Sequence, residues 1–181
     1  MKHAHARRCP LKFSWPTPPL RVVLVEPEIP PNTGNIARTC AATGSPLHLI
    51  EPLGFQITNA QLKRAGLDYW DSVALAPHPH FDHFLETAGN PRCWLFTTGA
   101  TRSLFEADFL PGDALVFGSE TRGLSAELLA RFPERHLAIP LRADHVRSLN
   151  LSTAAGIAIY EALRQLAQRD DVAFSHPPNS P

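Results

Sequence analysis

Short, continuous apolar segments that alternate with helical patterns most strongly limit the fold of this chain. The apolar segments are RVVLVE, PLHLIEP, CWLFTT, ALVFG and HLAIPL. Helical patterns lie between or after them, at residues 32–44, 59–66, 81–88, 125–132 and 149–168. Continuous apolar strands that alternate with helices are typical of a buried, largely parallel α/β sheet. We therefore expect ligands to bind in the loops beyond the carboxyl ends of these strands.

Composition and charge indicate one folded domain without a general affinity for nucleic acid. The chain has 181 residues, of which 44% are hydrophobic, enough for one sizeable core. Lys and Arg together number 17, as do Asp and Glu, so any RNA-binding charge must be concentrated locally. We expect residues 1–20, which are basic and rich in proline, to form an N-terminal extension, residues 21–168 the domain, and residues 169–181 a tail.

The cysteines and the lengths of the apolar stretches predict a soluble, cytoplasmic protein. Cys9, Cys40 and Cys93 lie far apart and form neither a CxxC pair nor a disulfide framework, which suits a reducing compartment. Cys40 is interpreted as a small core residue. The basic N-terminal segment lacks the apolar part of a secretory signal, and no apolar stretch approaches the roughly 20 residues of a membrane span. We therefore expect no contact with a membrane.

Three loops that follow strands are rich in turn-forming and polar residues: EPEIPPNTGN, GSETRG and PLRADHVRSLN. Within and after the first loop, a helix is predicted with Asn32 or Thr33 as its N-cap. Ile36 and Cys40 share the buried face of this helix, so Arg38 points away from the core. Arg38 is then either a solvated surface residue or a cation that, near the positive end of the helix, stabilises a phosphate or a developing alkoxide.

The second loop, within LVFGSETRGL, contains two glycines that permit backbone conformations other residues resist. Gly118 and Gly123 would let a ligand approach the main chain. Glu120 and Arg122 lie between them, where the simplest interpretation is a surface ion pair worth at most about 1 kcal/mol. No Lys-Ser/Thr pair follows Gly123 and no G-x-G-x-x-G occurs, which argues against a P-loop and against a dinucleotide site.

The third loop leads into a long helix whose first residues carry hydroxyl and amide groups. Ser148, Asn150 and Ser152 are placed to cap backbone N–H groups, and we expect at least one of them to do so. A small-residue surface follows, made by Ala154, Ala155, Gly156 and Ala158. That surface suits either tight packing on the sheet or a subunit interface.

HPHFDH, at residues 78–83, contains three histidines and an aspartate and so raises the question of a metal site. Pro79 and the pair Phe81 and Phe84 instead indicate a loop that enters an amphipathic helix, and no zinc-type ligand array follows elsewhere. We therefore predict no metal. A hydrolase triad is not predicted either, because the G-x-S-x-G elbow is absent from the sequence.

Taken together, the three loops and their flanking segments resemble the SPOUT superfamily of RNA methyltransferases, in its SpoU/TrmH class. EPEIPPNTGNIARTCAATG with LHLIEPLGF matches the first motif of that family, LVFGSETRGL the second, and IPLRADHVRSLNLSTAAGIAIYEA the third. The added QLKRAGLDYW, residues 61–70, looks like the TrmL type, which methylates the ribose of the tRNA wobble nucleotide. The resemblance covers residues 21–168.

This resemblance implies both a fold and a reaction. The expected fold is a single domain with a six-stranded, mostly parallel sheet between helices and a deep C-terminal trefoil knot, a rare feature that the residue patterns would not have suggested. The expected enzyme is a homodimer with its active site at the subunit interface. It would transfer a methyl group from S-adenosylmethionine to the ribose 2′-hydroxyl of the wobble pyrimidine in the anticodon stem-loop of tRNA. No metal cofactor is implied.

The expected site residues follow from matching positions in the motifs. The residues matched to the catalytic pocket are Arg38, Glu120, Ser148 and Asn150. Those matched to the methyl donor, largely through backbone contacts, are Phe96, Thr97, Gly118, Ile139, Leu141 and Ser148. The residues expected to contact RNA are Asn35, Lys63, Arg64, Arg122, Arg142 and Arg147. Because a guanidinium is a poor base at neutral pH, Arg38 is expected to support the forming alkoxide or a neighbouring phosphate.

The chain departs from the family pattern at a few positions, and rival functions stay open. Thr153 stands where Asn is common, Ser119 where Pro is frequent, and the loop from Leu141 to Arg147 is slightly long. The rivals are the same methyl transfer to another tRNA position or to ribosomal RNA, a non-catalytic RNA-binding module with this fold, and a flavodoxin-like nucleotide binder. Binding of S-adenosylmethionine would separate the enzyme from the module, and flavin affinity would identify the last rival.

Overall fold

The computed structural model describes residues 13–55, 73–142, 145–169 and 171–175, and every structural statement below concerns these residues. The helix expected at residues 59–66 lies outside them, as do the segment QLKRAGLDYW and its Lys63 and Arg64. Among the described helices, none is both long enough and apolar enough to cross a membrane.

From β2 to α4 the described strands and helices largely alternate, in agreement with the apolar pattern of the sequence. The strands are β1 (Trp15–Pro16), β2 (Arg21–Val25), β3 (Leu47–Ile50), β4 (Leu75–His78), β5 (Cys93–Phe96), β6 (Ala114–Phe117), β7 (His136–Leu137) and β8 (Phe174–Ser175). The α-helices are α1 (Pro30–Thr43), α2 (Phe81–Thr87), α3 (Ala126–Ala130) and α4 (Leu151–Leu166), and a 3₁₀ turn spans Leu104–Glu106.

Six strands form one parallel sheet in the order β4-β3-β2-β6-β5-β7. The expected six-stranded, mostly parallel α/β sheet is therefore confirmed. The chain moves outward from β2 through β3 to β4 and then continues on the other side of β2, so the strand order reverses between β2 and β6. Loops that leave neighbouring strands at such a switch point diverge and open a crevice. The loops after β2, β5, β6 and β7 consequently meet at one edge of the sheet.

Two hydrophobic clusters cover the two faces of the sheet. Because successive side chains of a strand point to opposite faces, Val22 and Leu24 enter one cluster while Val23 enters the other. The first cluster packs α1 and α4 on the sheet, through residues such as Ile36 and Leu163. The second packs α2 and α3, and includes Phe81, Phe84 and Leu128. The helices are thus divided between the faces, which leaves the carboxyl edge of the sheet open for a site.

Helix α1 begins earlier than the sequence pattern predicts. Its N-cap is Ile29, Pro30 and Pro31 occupy the first helical positions, and no side chain of the helix caps it. The expectation of Asn32 or Thr33 as N-cap is wrong, because proline has the φ angle of a first helical turn and lacks the N–H that would need a partner there. Asn32 and Thr33 instead lie inside the first turn and are buried.

The apolar pattern of the sequence predicts the two edge strands less well than the central strands. β4 was not expected, because Pro77 interrupts an already short apolar run. Proline is tolerated there because β4 lies at the edge of the sheet, where one side of the strand needs no ladder hydrogen bonds. At the opposite edge, only His136–Leu137 of the segment HLAIPL forms a strand.

The two flanking segments contact each other. β1 and β8 pair as a short antiparallel ribbon, with Trp15 opposite Ser175. Phe13 and Trp15 also pack against the first hydrophobic cluster, and Leu20 is fully buried in it. The expected boundaries at residues 20 and 168 stay predictions, as does the trefoil knot.

Candidate functional site

A cleft opens at the carboxyl edge of the sheet, beside the switch point between β2 and β6. It has a volume of about 630 Å³. Its walls come from the start of α1, from the loops after β5, β6 and β7, and from the start of α4. The three polar loops of the sequence therefore converge on one cavity, since the parallel strands end at the same edge.

Most of the expected site residues line this cleft. The six expected to hold the methyl donor all do so, namely Phe96, Thr97, Gly118, Ile139, Leu141 and Ser148. Glu120, Arg122, Arg147 and Asn150 line it as well. Arg38, Asn35 and Arg142 are exposed and do not belong to the lining formed by the described residues. The proximity of the lining residues is observed, whereas their chemical roles stay predictions.

The base of the cleft is apolar and its rim is polar. Phe96 at the end of β5 and Phe117 at the end of β6 stack with ring centroids 4.7 Å apart and ring planes 13° from parallel. Both rings line the cleft together with Leu137. Such a surface suits a flat, apolar part of a ligand, while the loop residues above it offer hydrogen-bonding groups.

The loop from Gly118 to Gly123 closes tightly on itself. The N–H of Gly123 donates to the carbonyl oxygen of Ser119 at 2.9 Å, and Gly123 has a φ of +69°, which favours glycine. A Cβ on Gly118 would overlap with the backbone of Gly123 and Leu124. Glycine is therefore required at position 118 because the backbone of the same loop passes close to it. The sequence analysis explained this glycine by the approach of a ligand instead.

Glu120 holds the two residues that precede α1, and Asn32 in its first turn. Its carboxylate accepts hydrogen bonds from the backbone N–H of Glu28 at 2.8 Å and of Ile29 at 3.3 Å, and from Nδ2 of Asn32 at 2.9 Å. Backbone N–H groups at a helix start have no partner within the helix and carry partial positive charge, which favours a carboxylate. Glu120 thus fixes the helix that carries Arg38, although the two residues are far apart in sequence.

Asn32 connects Glu120 to Asn150 and was not among the expected site residues. Its Oδ1 accepts a hydrogen bond from Nδ2 of Asn150 at 2.9 Å, and Asn150 in turn caps α4 through its Oδ1, which accepts from the N–H of Ser152 at 2.9 Å. The expectation that a residue at the start of this helix caps it is therefore confirmed for Asn150. No local pattern marks Asn32, because its two partners lie 88 and 118 residues away.

Arg122 is already paired within the chain. Its Nη2 lies 2.9 Å from a carboxylate oxygen of Glu26, and its Nε lies 3.8 Å from one of Glu28. The side chain is still 69% exposed, so these ion pairs are screened by solvent and individually weak. An RNA phosphate would have to compete with both carboxylates for this guanidinium.

His78 and His83 of HPHFDH do not line the cleft, and they form a hydrogen-bonded chain with His48. Nδ1 of His48 lies 2.9 Å from Nε2 of His78, and Nδ1 of His78 lies 3.0 Å from Nδ1 of His83. Burial, with His78 and Arg21 adding to it, lowers the pKa of His48 to about 4, and burial beside His83 also lowers the pKa of His78. Within the described ranges, no group of three or more His, Cys, Asp or Glu residues is arranged to hold a metal ion.

The two described cysteines are buried thiols. Cys40 on α1 and Cys93 on β5 have no disulfide partner among the described residues. Burial raises the pKa of each thiol to about 12, with Asp113 adding to the effect at Cys93. The expectation that Cys40 is a core residue is confirmed, since it is 1% exposed.

Comparisons with known proteins agree with this arrangement. The model of the SpoU rRNA methylase family matches residues 19–160. A tRNA (cytidine(34)-2'-O)-methyltransferase from Burkholderia cenocepacia is 52% identical over 147 residues, which cover 80% of this chain and 94% of the relative. A solved structure that concerns the 2-OH methylation of C/U34 on tRNA is 54% identical, with a TM-score of 0.77 over 83% of this chain and 97% of that chain.

A more distant structure shares the fold alone. The SpoU methyltransferase AviRb from Streptomyces viridochromogenes, solved in complex with the cofactor AdoMet, is 23% identical, with a TM-score of 0.72 over 87% of this chain and 60% of that chain. The family match covers more than half of the chain, and it includes the loops after β2 and β6 and the start of α4 that form the cleft. The chain therefore belongs to the SpoU rRNA methylase family.

Proposed function

We propose that the protein transfers a methyl group from S-adenosylmethionine to the ribose 2′-hydroxyl of the wobble pyrimidine in the anticodon stem-loop of tRNA. The observation that carries the proposal is the convergence of the three motif loops on one cleft, joined by the hydrogen bonds of Glu120, Asn32 and Asn150. Relatives about half identical to this chain are named for methylation of the 2′-oxygen at tRNA position 34, which supports the choice of substrate.

The cleft fits S-adenosylmethionine in size and character. Its volume of about 630 Å³ lies within the range of small-molecule sites. The stacked rings of Phe96 and Phe117 offer an apolar base for the adenine, and the residues around Gly118 and Ile139 offer backbone polar groups. When bound, S-adenosylmethionine supplies an electrophilic methyl group on a sulfonium. The chain's own task is to hold the ribose hydroxyl in line with that group and to exclude water.

Arg38 would stabilise the negative charge that develops on the ribose oxygen as its proton is lost. A guanidinium remains protonated at neutral pH, so it acts by electrostatic support rather than as a base. Arg38 lies on the exposed side of α1, whose start is fixed by Glu120 and Asn32. Arg38 lies outside the cleft lining of its own chain, which favours a second copy of the chain as the source of the arginine at each site.

A homodimer is proposed for this reason and because of the surface of α4. Thr153, Gly156, Ile157 and Tyr160 are spaced along one side of this helix, and Ile157 and Tyr160 are 36% and 56% exposed. A Cβ on Gly156 would meet nothing within 4 Å, so no packing within the described chain requires glycine there. Ile29 at the start of α1 is a further exposed apolar residue. An apolar surface with a small residue at its centre suits close approach of another helix.

Of the residues proposed to contact RNA, Arg122 and Arg147 line the cleft. Arg142 and Asn35 are exposed, and Lys63 and Arg64 belong to the segment outside the described residues. Each phosphate contact would contribute a salt-dependent part of the affinity. The formal net charge of zero favours a single specific RNA over bulk nucleic acid as the partner. A tRNA substrate also favours a cytoplasmic location, as do the thiols of Cys40 and Cys93, which have no disulfide partner among the described residues.

The proposed reaction is tested with the purified protein, S-adenosylmethionine carrying a deuterated methyl group, and tRNA from a strain that lacks the protein. We expect mass spectrometry of nuclease digests to place one labelled ribose methyl at position 34. Label at another tRNA position, or on ribosomal RNA alone, would identify a different substrate. Calorimetry provides the second readout, since no binding of S-adenosylmethionine would favour a non-catalytic RNA-binding module.

A further inference from the structure

The turn after β2 and the loop after β6 hold each other through a reciprocal pair of carboxylates. Glu120 of the loop accepts hydrogen bonds from the backbone N–H groups of Glu28 and Ile29. In the opposite direction, both carboxylate oxygens of Glu28 lie 2.8 Å from the hydroxyl oxygen of Thr121, and one of them accepts from the N–H of Thr121 at 3.3 Å. Each segment therefore supplies the acceptor for the other's backbone.

The other side of the same turn is held by the loop after β3. The N–H of Gly54 donates to the carbonyl oxygen of Pro27 at 2.9 Å. A Cβ on Gly54 would lie 2.8 Å from the Cα of Glu28, closer than real Cβ contacts come. The backbone of Glu28 is thus confined between two loops, so its carboxylate has a defined direction toward Thr121.

The charges around the turn explain why a pair of directed hydrogen bonds is needed there. Glu26, Glu28 and Glu120 bring three carboxylates together, and Arg122 is paired with the first two. Like charges would separate the two segments unless each carboxylate had donors of its own. Hydrogen bonds from N–H and O–H groups to a carboxylate are shorter and stronger than those between neutral groups, and they fix orientation.

We propose that Glu28 is a positioning residue for methyl transfer. By holding Thr121, it keeps the loop after β6 over the start of α1, so that Glu120 stays on the backbone and on Asn32. The orientation of α1, and with it of Arg38, then depends on a residue that does not line the cleft. This inference rests on the proposed function.

The test compares matched variants of the full chain. Thr121→Val removes the hydroxyl at nearly constant volume, whereas Thr121→Ser keeps it. Glu28→Ala removes the acceptor, whereas Glu28→Gln keeps an oxygen that can accept from Thr121. We expect Glu28→Ala and Thr121→Val to lower kcat on the order of tenfold, since small displacements of a reacting group have large effects on rate. The serine and glutamine variants should recover most of the loss.

Three further readouts separate positioning from general damage. The Kd for S-adenosylmethionine should stay within about twofold of wild type in both damaging variants, and the double variant should be no slower than either single one, because the two residues act as a unit. Amide exchange at positions 28, 29, 32 and 33 should become faster in Glu28→Ala. Glu86→Ala, which removes an exposed carboxylate on α2, is the matched control and should match wild type.

The outcomes distinguish a failure of the proposed function from a failure of the proposed role of Glu28. If wild-type protein places no methyl group on tRNA, the proposed function fails, and the amide exchange still decides whether Glu28 holds the two segments. If wild type is active and Glu28→Ala retains full kcat, Glu28 has no positioning role. Additive losses in the double variant, or a loss of S-adenosylmethionine affinity parallel to that of kcat, would also overturn the inference.

Discussion

At the scale of single residues, the site depends on side chains whose partners are far away in sequence. Glu120 was expected in the catalytic pocket from its motif, and the structure adds that it holds the start of α1 across 88 to 92 residues of sequence. Asn32 looked like a helix cap and is instead the connection between Glu120 and Asn150. A polar residue in a loop indicates that its side chain forms a hydrogen bond, but only the fold determines the partner of that bond.

Arg38→Ala should lower kcat on the order of 100-fold, the size of effect seen when a group that stabilises a developing oxyanion is removed. The Kd for S-adenosylmethionine should change little, because Arg38 lies outside the cleft lining of its own chain. Single-turnover methylation of tRNA and calorimetry measure the two quantities. Arg164→Ala, on the exposed side of α4, is the control and should remain active. Near-normal turnover of Arg38→Ala would remove Arg38 from the mechanism.

Gly118→Ala should disrupt the loop after β6, because the added Cβ would overlap with the backbone of Gly123 and Leu124. Overlap with backbone atoms cannot be relieved by a side-chain rotation, so we expect the affinity for S-adenosylmethionine to fall at least about tenfold and the melting temperature to drop. Calorimetry and thermal unfolding measure these effects. Gly99→Ala serves as control, since a Cβ there would come no closer than 3.8 Å to another group. Unchanged affinity in Gly118→Ala would contradict the close approach.

At the scale of secondary-structure elements, the sheet edge formed by β3 and β4 contains a group of interacting histidines. His48 in β3, His78 in β4 and His83 in α2 form a hydrogen-bonded chain. Oγ1 of Thr87 in α2 lies 3.5 Å from Nδ1 of His78. Arg21 of β2 adds a positive charge that disfavours protonation of His48. These imidazoles connect β3, β4 and α2, and a proton on each of two facing nitrogens would break the connection.

These hydrogen-bonded histidines should make the stability of the folded protein sensitive to acid. His48 has an ordinary pKa of 6.5 when unfolded and about 4 when folded, so between these values the unfolded state binds a proton that the folded state does not. Stability is therefore full above pH 6.5 and falls as the pH drops toward 4, by about 2 kcal/mol for His48 between pH 7.5 and pH 5. His78 shifts in the same direction.

Urea unfolding at the two pH values measures this difference. His48→Leu should lower the stability at pH 7.5, because His78 loses its partner, yet its further loss on going to pH 5 should be clearly smaller than that of wild type. His145→Leu, at an exposed position, should keep the acid dependence of wild type. Equal acid dependence in His48→Leu and wild type would show that the histidine chain does not carry the effect.

At the scale of the whole molecule, the proposed homodimer would place a second copy of the chain beside the cleft. The cleft and Arg38 belong to one domain, but the described residues that line the cleft do not include Arg38. The exposed apolar side of α4 lies on the helix whose start forms part of the cleft wall. A second chain docked there would cover this surface and bring new groups to the rim of the cleft.

Ile157→Glu should weaken the proposed homodimer, because a carboxylate buried in an interface without a partner costs several kcal/mol. We expect sedimentation equilibrium to show a monomer at concentrations where wild type is a dimer, together with a large loss of methyl transfer. Circular dichroism should be unchanged, since Ile157 is 36% exposed in the single chain. Glu127→Lys, a charge change on the exposed side of α3, is the control. A monomeric wild type, or an active monomeric variant, would contradict the proposal.

The sequence by itself determined the α/β class, the positions of the central strands along the chain, and the three loops that carry the site. These features depend on patterns within ten to twenty residues, such as the apolar runs of β2 and β6 and the glycines around Glu120. The individual roles in the pocket came from a resemblance and not from the patterns, since capping and catalytic residues have the same composition.

Only the tertiary structure decided which of these polar residues meet. The switch in strand order between β2 and β6 brings Glu28 to Thr121 and Asn32 to Glu120, and no local rule relates positions about 90 residues apart. It also decided that Pro77 belongs to an edge strand and that the buried histidines bond to one another. Local propensity limits the conformation of each segment, whereas long-range hydrogen bonding and burial select the partners, because their energies depend on distances that the fold alone sets.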